Sequence, residues 1–172
     1  TGISHTLVVD GVPFAGARGN ALVFASAPVT VDCPHCGQRI RPVLEDYASG
    51  PAIVRRYNET GGDPVQSGEA VLHAAAGGDP TAVAVVGSAG EALGVAVAWL
   101  VNVLDPEAVI VGGGLGLAGG LYWERCRTAL YEHIWAENTR STLLIPAQLH
   151  VDAGLVGAAA THHRRMEMSS PF

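Results

Sequence analysis

Three groups of residues have types and spacings that could do chemistry. Gly112-Gly113-Gly114 follow the apolar run Ala108-Val-Ile-Val111 directly and precede a helical stretch. Open α/β sheets bind ligands at that place, beyond the carboxyl end of a strand. Glycines there let backbone N–H groups come close to a phosphate or a base, and a following helix N-terminus favours negative charge. Gly114-x-Gly116-x-x-Gly119 also fits the dinucleotide spacing, although Ala147-Gln148 stand where that site needs an acid. A nucleotide loop, a dinucleotide-binding oxidoreductase site and a plain glycine turn packing helix on strand are all open readings.

Cys33-Pro34-His35-Cys36-Gly37 has the spacing of a metal knuckle. A structural zinc site normally takes four protein ligands. Cys33, Cys36 and His35 are candidates, and no second close pair accompanies them. The other reading is two free thiols in a surface loop. Glu45 opens the helix after this loop, where the helix dipole alone favours an acid. The remaining histidines, His5, His73, His133, His150, His162 and His163, show no partners by spacing and read as solvated or satisfied side chains. No Ser-His-Asp or paired-carboxylate arrangement emerges.

The elements that must position these residues are legible in outline. Thr6 to Val9 predicts a strand, Asp10-Gly11 a hairpin turn, and Val12 to Phe14 the return. A glycine-rich loop, Gly16 to Gly19, follows. Ala21–Ala25 and Val29–Val31 read as short extended segments, with Pro28 between them. A helix is expected from Leu44 through Tyr57, with Pro51 interrupting it or opening a second segment. Ser67 suits the N-cap of a short helix ending near Gly77-Gly78. Asp79-Pro80 opens a long helix to about Leu104. Its small residues Ala84, Gly87, Ala89, Gly94 and Ala98 invite close approach by another element, within the lobe or across a dimer. Then come the strand Ala108–Val111, a helix from about Gly120 to Glu137, a strand at Leu143–Ile145 and an Ala-rich helix from Gly154 to His162. That alternation implies a parallel α/β layer.

Composition narrows the classes. The 172 residues are 48% hydrophobic and 15% charged, so the charged share is well under the usual quarter. No lysine occurs, and the net charge is −6. That disfavours a nucleic-acid partner and a polybasic membrane surface. The apolar stretch Thr81 to Leu104 is interrupted by Glu91, so no membrane span is expected. Three cysteines are too few for a disulfide framework and fit a reducing, cytoplasmic compartment.

Taken together, several segments resemble the ROK family (repressors, unassigned reading frames and sugar kinases). Thr1-Gly2-Ile3 before a Val-rich hairpin is similar to the end of that family's second phosphate motif, Gly-Thr-Gly-Ile-Gly. Leu44-Glu45-Asp-Tyr47-Ala48-Ser49-Gly50-Pro-Ala-Ile resembles its Leu-Glu-x-Tyr-Ala-Ser-Gly-x-Ala-Ile segment. Asn102-Val-Leu-Asp105-Pro106-Glu107 through Gly112-Gly113-Gly114 resembles its adenosine motif, and Asp152 to Ala159 its terminal helix. The resemblance covers nearly the whole chain. It implies an α/β, actin-like ATPase (ribonuclease H-like) fold, of which residues 1–172 are the C-terminal lobe. Residues 1–60 would hold the hairpin, the sugar and metal loops and the following helix. Residues 79–172 would form the nucleotide-side layer.

The departures are specific. The family's sugar and zinc segment usually reads Gly-x-x-Gly-x-Ala-Gly-Glu-Ile-Gly-His. Here Val23 stands at the sugar-binding Glu and Ser26 at the His that touches sugar and zinc. In the cysteine loop, Val43 replaces the last Cys, so two of four expected zinc ligands are missing. Losing one charged hydrogen bond costs about 1.5–3 kcal/mol, enough to change sugar preference. The family's first phosphate motif and its catalytic Asp segment do not occur in these residues, so no catalytic base is expected among them.

The resemblance therefore implies ATP-dependent phosphorylation, with Mg, of a hexose or aminohexose of glucose or kanosamine type. Thr1, Gly2, Gly112, Gly113 and Gly114 would hold the nucleotide. Glu45, Ser26 and Val23 would line the sugar side. Cys33, Cys36 and His35 would be a degenerate zinc loop. A homodimer is expected. The alternative is the sugar-sensing domain of a ROK repressor, or a non-catalytic sugar-binding relative.

Overall fold

The computed structural model describes residues 2–21, 23–33, 36–61 and 63–169. Its elements run β1 (Val8–Val9), β2 (Val12–Pro13), β3 (Val31–Asp32), β4 (Arg39–Ile40), α1 (Leu44–Ala48), α2 (Gly50–Glu59), α3 (Gly68–Ala76), α4 (Pro80–Leu104), β5 (Ala108–Val111), α5 (Gly113–Leu117), α6 (Gly120–His133), β6 (Leu143–Pro146) and α7 (Ala153–Ser169).

Helix α4 organises the rest. Asp79 caps it by accepting the Ala82 N–H at 3.0 Å, and Pro80 occupies its first turn, where a missing N–H costs nothing. It ends where Asp105 turns left-handed, φ +46°, ahead of Pro106. By length and composition α4 could cross a membrane. In the fold it is the core helix: Val85, Val86, Ala89, Val97, Ala98 and Val101 are buried. Around it, Leu44, Ile53, Val71, Leu130 and Ile134 complete one hydrophobic cluster.

The small residues of α4 admit α6, a neighbour in the same lobe. A methyl at Gly90 would fall on the Tyr122 carbonyl, and one at Gly94 on the Cys126 carbonyl and the Ala129 methyl. The two helices can therefore touch backbone to backbone only because these positions lack a Cβ. Tyr122 then reaches across to α1, its hydroxyl donating to the Ala48 carbonyl at 3.0 Å. Burial pushes that phenol above its ordinary pKa, so it stays a neutral donor.

Several expected elements are drawn differently. The stretch from Leu44 to Tyr57 is two helices, because Ser49 turns extended and caps α2, accepting the Ala52 N–H at 3.3 Å. Pro51 sits in that first turn, so it opens the second helix and breaks nothing. The extended segment expected at Ala21–Ala25 holds instead a 3₁₀ turn, Phe24–Ser26. The segment expected at Val29–Val31 yields a strand only at Val31–Asp32, which pairs antiparallel with β4. Helix α6 stops at His133, four residues early. Asn102 of α4 takes both groups of its end: its Nδ2 donates to the His133 carbonyl at 2.9 Å, and its Oδ1 accepts the Trp135 N–H at 2.8 Å. Helix α7 runs on to Ser169, past the expected end at His162.

The parallel layer is present between β5 and β6, in register Ala108↔Leu143 to Val111↔Pro146. Among the described residues it stays two-stranded, and the β1–β2 hairpin forms a separate ladder.

Candidate functional site

A cleft of about 1140 Å³ opens between the Gly2–Leu7 segment and the carboxyl end of β5. Its floor is apolar, formed by Leu93, Val97 and Leu100 of α4. Its rim is polar and glycine-rich. Gly2, Gly112, Gly113 and Gly114 all line it, so four of the expected nucleotide residues meet in one place. Thr1 lies outside the described residues. Ser49, Gly50, Ser67 and Gly68, at the starts of α2 and α3, line the same cleft.

The glycine run after β5 is not a plain loop. Gly112 is extended, Gly113 takes a left-handed φ of +80°, and α5 starts there. Gly113 therefore has to be glycine for backbone reasons. Gly116 has to be glycine for packing, since a methyl would lie 2.7 Å from the Val111 side chain. Gly119 turns left-handed, φ +67°, to start α6. In Gly114-x-Gly116-x-x-Gly119, the later two glycines thus shape the helix and turn, and Gly112 to Gly114 form the rim.

The expected sugar-side residues fall differently. The Glu45 carboxylate lies where a side chain on Gly2 would be, and its Oε2 accepts the Ile3 N–H at 2.7 Å. Its demonstrated partner is the backbone of the cleft wall. Phe24 lines the cleft, but Val23 beside it points to solvent, 60% exposed. Ser26 turns onto its own segment, donating to the Val23 carbonyl at 2.6 Å. His5, expected as a solvated or satisfied side chain, is satisfied. It lines the cleft, and its ring nitrogens engage the Ala21 carbonyl at 3.3 Å and the Phe24 N–H at 3.2 Å. The available signal was its place three residues after Gly2.

The cysteine loop is the turn of the β3–β4 hairpin. The Cys33 N–H donates to the Gln38 carbonyl and the Gly37 N–H to the Cys33 carbonyl, each at 2.8 Å. Cys36 is exposed and Cys33 half-buried. His35 lies outside the described residues. Among the described residues no three His, Cys, Asp or Glu side chains cluster to hold a metal. Cys126 is buried on α6, where desolvation pushes its thiol up to about 11. Two thiols do not make a tetrahedral zinc site, so the described residues do not fit one.

One cation is built into the frame. Arg56 of α2 donates to the Tyr47 carbonyl at 2.9 Å and the Ser88 hydroxyl at 2.7 Å. Its guanidinium also stacks 3.7 Å from the centre of the Tyr47 ring. Burial lowers its pKa from a value far above neutrality, so its charge is held by neutral oxygens and an aromatic face.

A parallel βαβ layer with a glycine-rimmed cleft at the strand ends is an α/β architecture, here that of the actin-like ATPase fold. Residues 1–165 match the ROK family, and the chain belongs to it. It is 31% identical to N-acetylmannosamine kinase of Vibrio cholerae, over 92% of this chain and 53% of that protein. Among solved structures it resembles the ROK hexokinase of Thermus thermophilus, with a TM-score of 0.79 and 31% identity over 94% of this chain and 54% of that one. It also resembles a ROK family glucokinase of Streptomyces griseus in complex with glucose and AMPPNP, with a TM-score of 0.75 and 30% identity over 94% and 57%. A weaker likeness, TM-score 0.55 and 28% identity over 82% and 38%, reaches a ROK family transcriptional regulator homologous to the E. coli MLC protein. The chain spans about half the length of these kinases.

Proposed function

We propose that these residues form the nucleotide- and sugar-binding part of an ATP-dependent sugar kinase acting on a hexose or aminohexose of glucose or kanosamine type. The observation that carries this reading is the meeting of Gly2 with Gly112 to Gly114 on one cleft. Backbone N–H groups freed of side chains can approach phosphate oxygens there, and the apolar floor can take a base. The kinase relatives support the reaction class, and the AMPPNP complex of one supports ATP as donor. Mg would accompany the phosphates, as phosphoryl transfer needs their charge neutralised. These residues supply binding and positioning, and the resemblance implies no base among them to orient the sugar hydroxyl. We place the reaction in the cytoplasm and in a homodimer.

A second reading, a sugar-sensing domain without phosphoryl transfer, draws on Val23 and Ser26, which stand where the resemblance expects a Glu and a His. Calorimetry on the intact protein separates the two. AMPPNP with Mg should bind in the micromolar to millimolar range, followed by turnover of glucose or an aminohexose with ATP. Sugar binding without nucleotide binding would establish the sensing reading instead.

A further inference from the structure

We propose that His5 is a positioning residue for the sugar side of the cleft, and this rests on the kinase reading above. Its imidazole bolts the turn that carries Val23 and Ser26 to the Gly2–Leu7 wall. The Phe24 backbone N–H donates to Nδ1 at 3.2 Å, which requires that nitrogen to be unprotonated. Nε2 faces the Ala21 carbonyl at 3.3 Å, which requires that nitrogen to carry the proton. The two contacts together select one neutral tautomer. Desolvation lowers the pKa of the ring, in the direction that keeps it neutral.

The bolt is anchored at both ends. Phe24 is a core residue, 8% exposed, and its ring meets the imidazole edge-on at 5.8 Å between centres. Two residues before His5, the Ile3 N–H is held by the Glu45 carboxylate. The 23–26 turn is closed on itself by Ser26. A segment held by Glu45, a bridge through His5 and a self-bonded turn form one unit along the wall that His5 and Phe24 both line. The resemblance assigns the sugar contacts of this turn to positions 23 and 26, where a Glu and a His are replaced here. Neither Val23 nor Ser26 lines the cleft here, so the turn meets a hydroxyl-rich ligand through Phe24 and through the neutral imidazole that holds it, both of which do. Misplacement by about 1 Å is worth up to roughly 100-fold in rate.

The test uses the intact protein and two variants. H5F keeps the ring and loses both hydrogen bonds, and H5Q keeps one donor and one acceptor. H5F should raise the KM for glucose or glucosamine at least tenfold while AMPPNP affinity changes less than twofold, and H5Q should recover most of the loss. Amide exchange at Phe24 should quicken in H5F and stay slow in H5Q. If H5F does not fold, H5N takes its place, because its shorter amide reaches one partner only. Equal losses for sugar and nucleotide, or an unchanged sugar KM with a fast-exchanging Phe24, would overturn the proposal. If the wild type turns over no sugar, the kinase reading fails separately. His5 is then judged by protection of the Phe24 amide on adding glucose or glucosamine, and no difference between wild type and H5F overturns it.

Discussion

The Glu45 carboxylate occupies the space that a side chain at Gly2 would need, and from there it accepts the Ile3 N–H at 2.7 Å. Two residues 43 positions apart are thereby coupled. The glycine makes room for the acid, and the acid fixes the segment that lines the cleft.

That coupling predicts an unequal pair of variants. Gly2→Ala should displace the carboxylate and break its bond to Ile3, a loss of about 1.5–3 kcal/mol for a charge-assisted contact. Glu45→Gln keeps an acceptor oxygen for Ile3 and should keep most of the stability. If Glu45 also touches the sugar, Glu45→Gln should weaken sugar binding far more than AMPPNP binding. Thermal unfolding and calorimetry on the two variants check both statements.

The glycines of α4 should split by their neighbours. Gly94→Ala would drive a methyl into the Cys126 carbonyl and to 2.9 Å from the Ala129 methyl, and should cost about 1–3 kcal/mol by overpacking. Gly87→Ala meets nothing closer than the Arg125 side chain at 3.9 Å. It should leave stability unchanged or raise it by about 0.5–1 kcal/mol, the ordinary gain of Ala over Gly inside a helix. Chemical denaturation of the two variants checks the contrast.

Asp79 ties the start of α4 to α2. Its Oδ2 accepts the Tyr57 hydroxyl at 2.7 Å, and its Oδ1 caps Ala82. The Tyr57 hydrogen bond is the main reason its pKa lies below the ordinary 3.8, with the Ala82 N–H second. A depressed carboxyl stabilises the fold fully above the unfolded value, and the contribution is lost as pH falls through the folded one. The difference in melting temperature between wild type and Asp79→Asn should therefore be flat near neutrality and shrink below about pH 3.8. Tyr57→Phe should move that window upward, towards the unfolded value.

The three thiols should label in order. Cys36 is exposed and should react first with a maleimide or iodoacetamide. Cys33 is partly covered. Cys126 is buried, and at about 11 its thiol is roughly one part in a thousand thiolate at pH 8. It should resist labelling until the protein unfolds. Metal analysis of the purified protein should find well under one zinc per chain, and addition of a chelator should leave the melting temperature unchanged.

Much of this was legible in the order of the residues, for local reasons. Asp79-Pro80 and Asp105-Pro106 bracket α4 because caps, proline and a left-handed turn act within a few residues of themselves. Gly112 to Gly114 were readable as a glycine run closing an apolar strand because that place is a property of the chain alone; that they rim a cleft took the fold. The family, too, was readable from motifs in order. Tertiary structure decided what depends on partners distant in sequence. Asn102 ended α6 early across 31 positions, and α6 packed against α4 at Gly90 and Gly94, while Ala84 of the expected set stays exposed. Glu45 turned to Ile3, and His5, mute as a lone histidine, found Phe24 and Ala21. A hydrogen bond between distant segments leaves no periodicity in either one, so only the folded chain can show it.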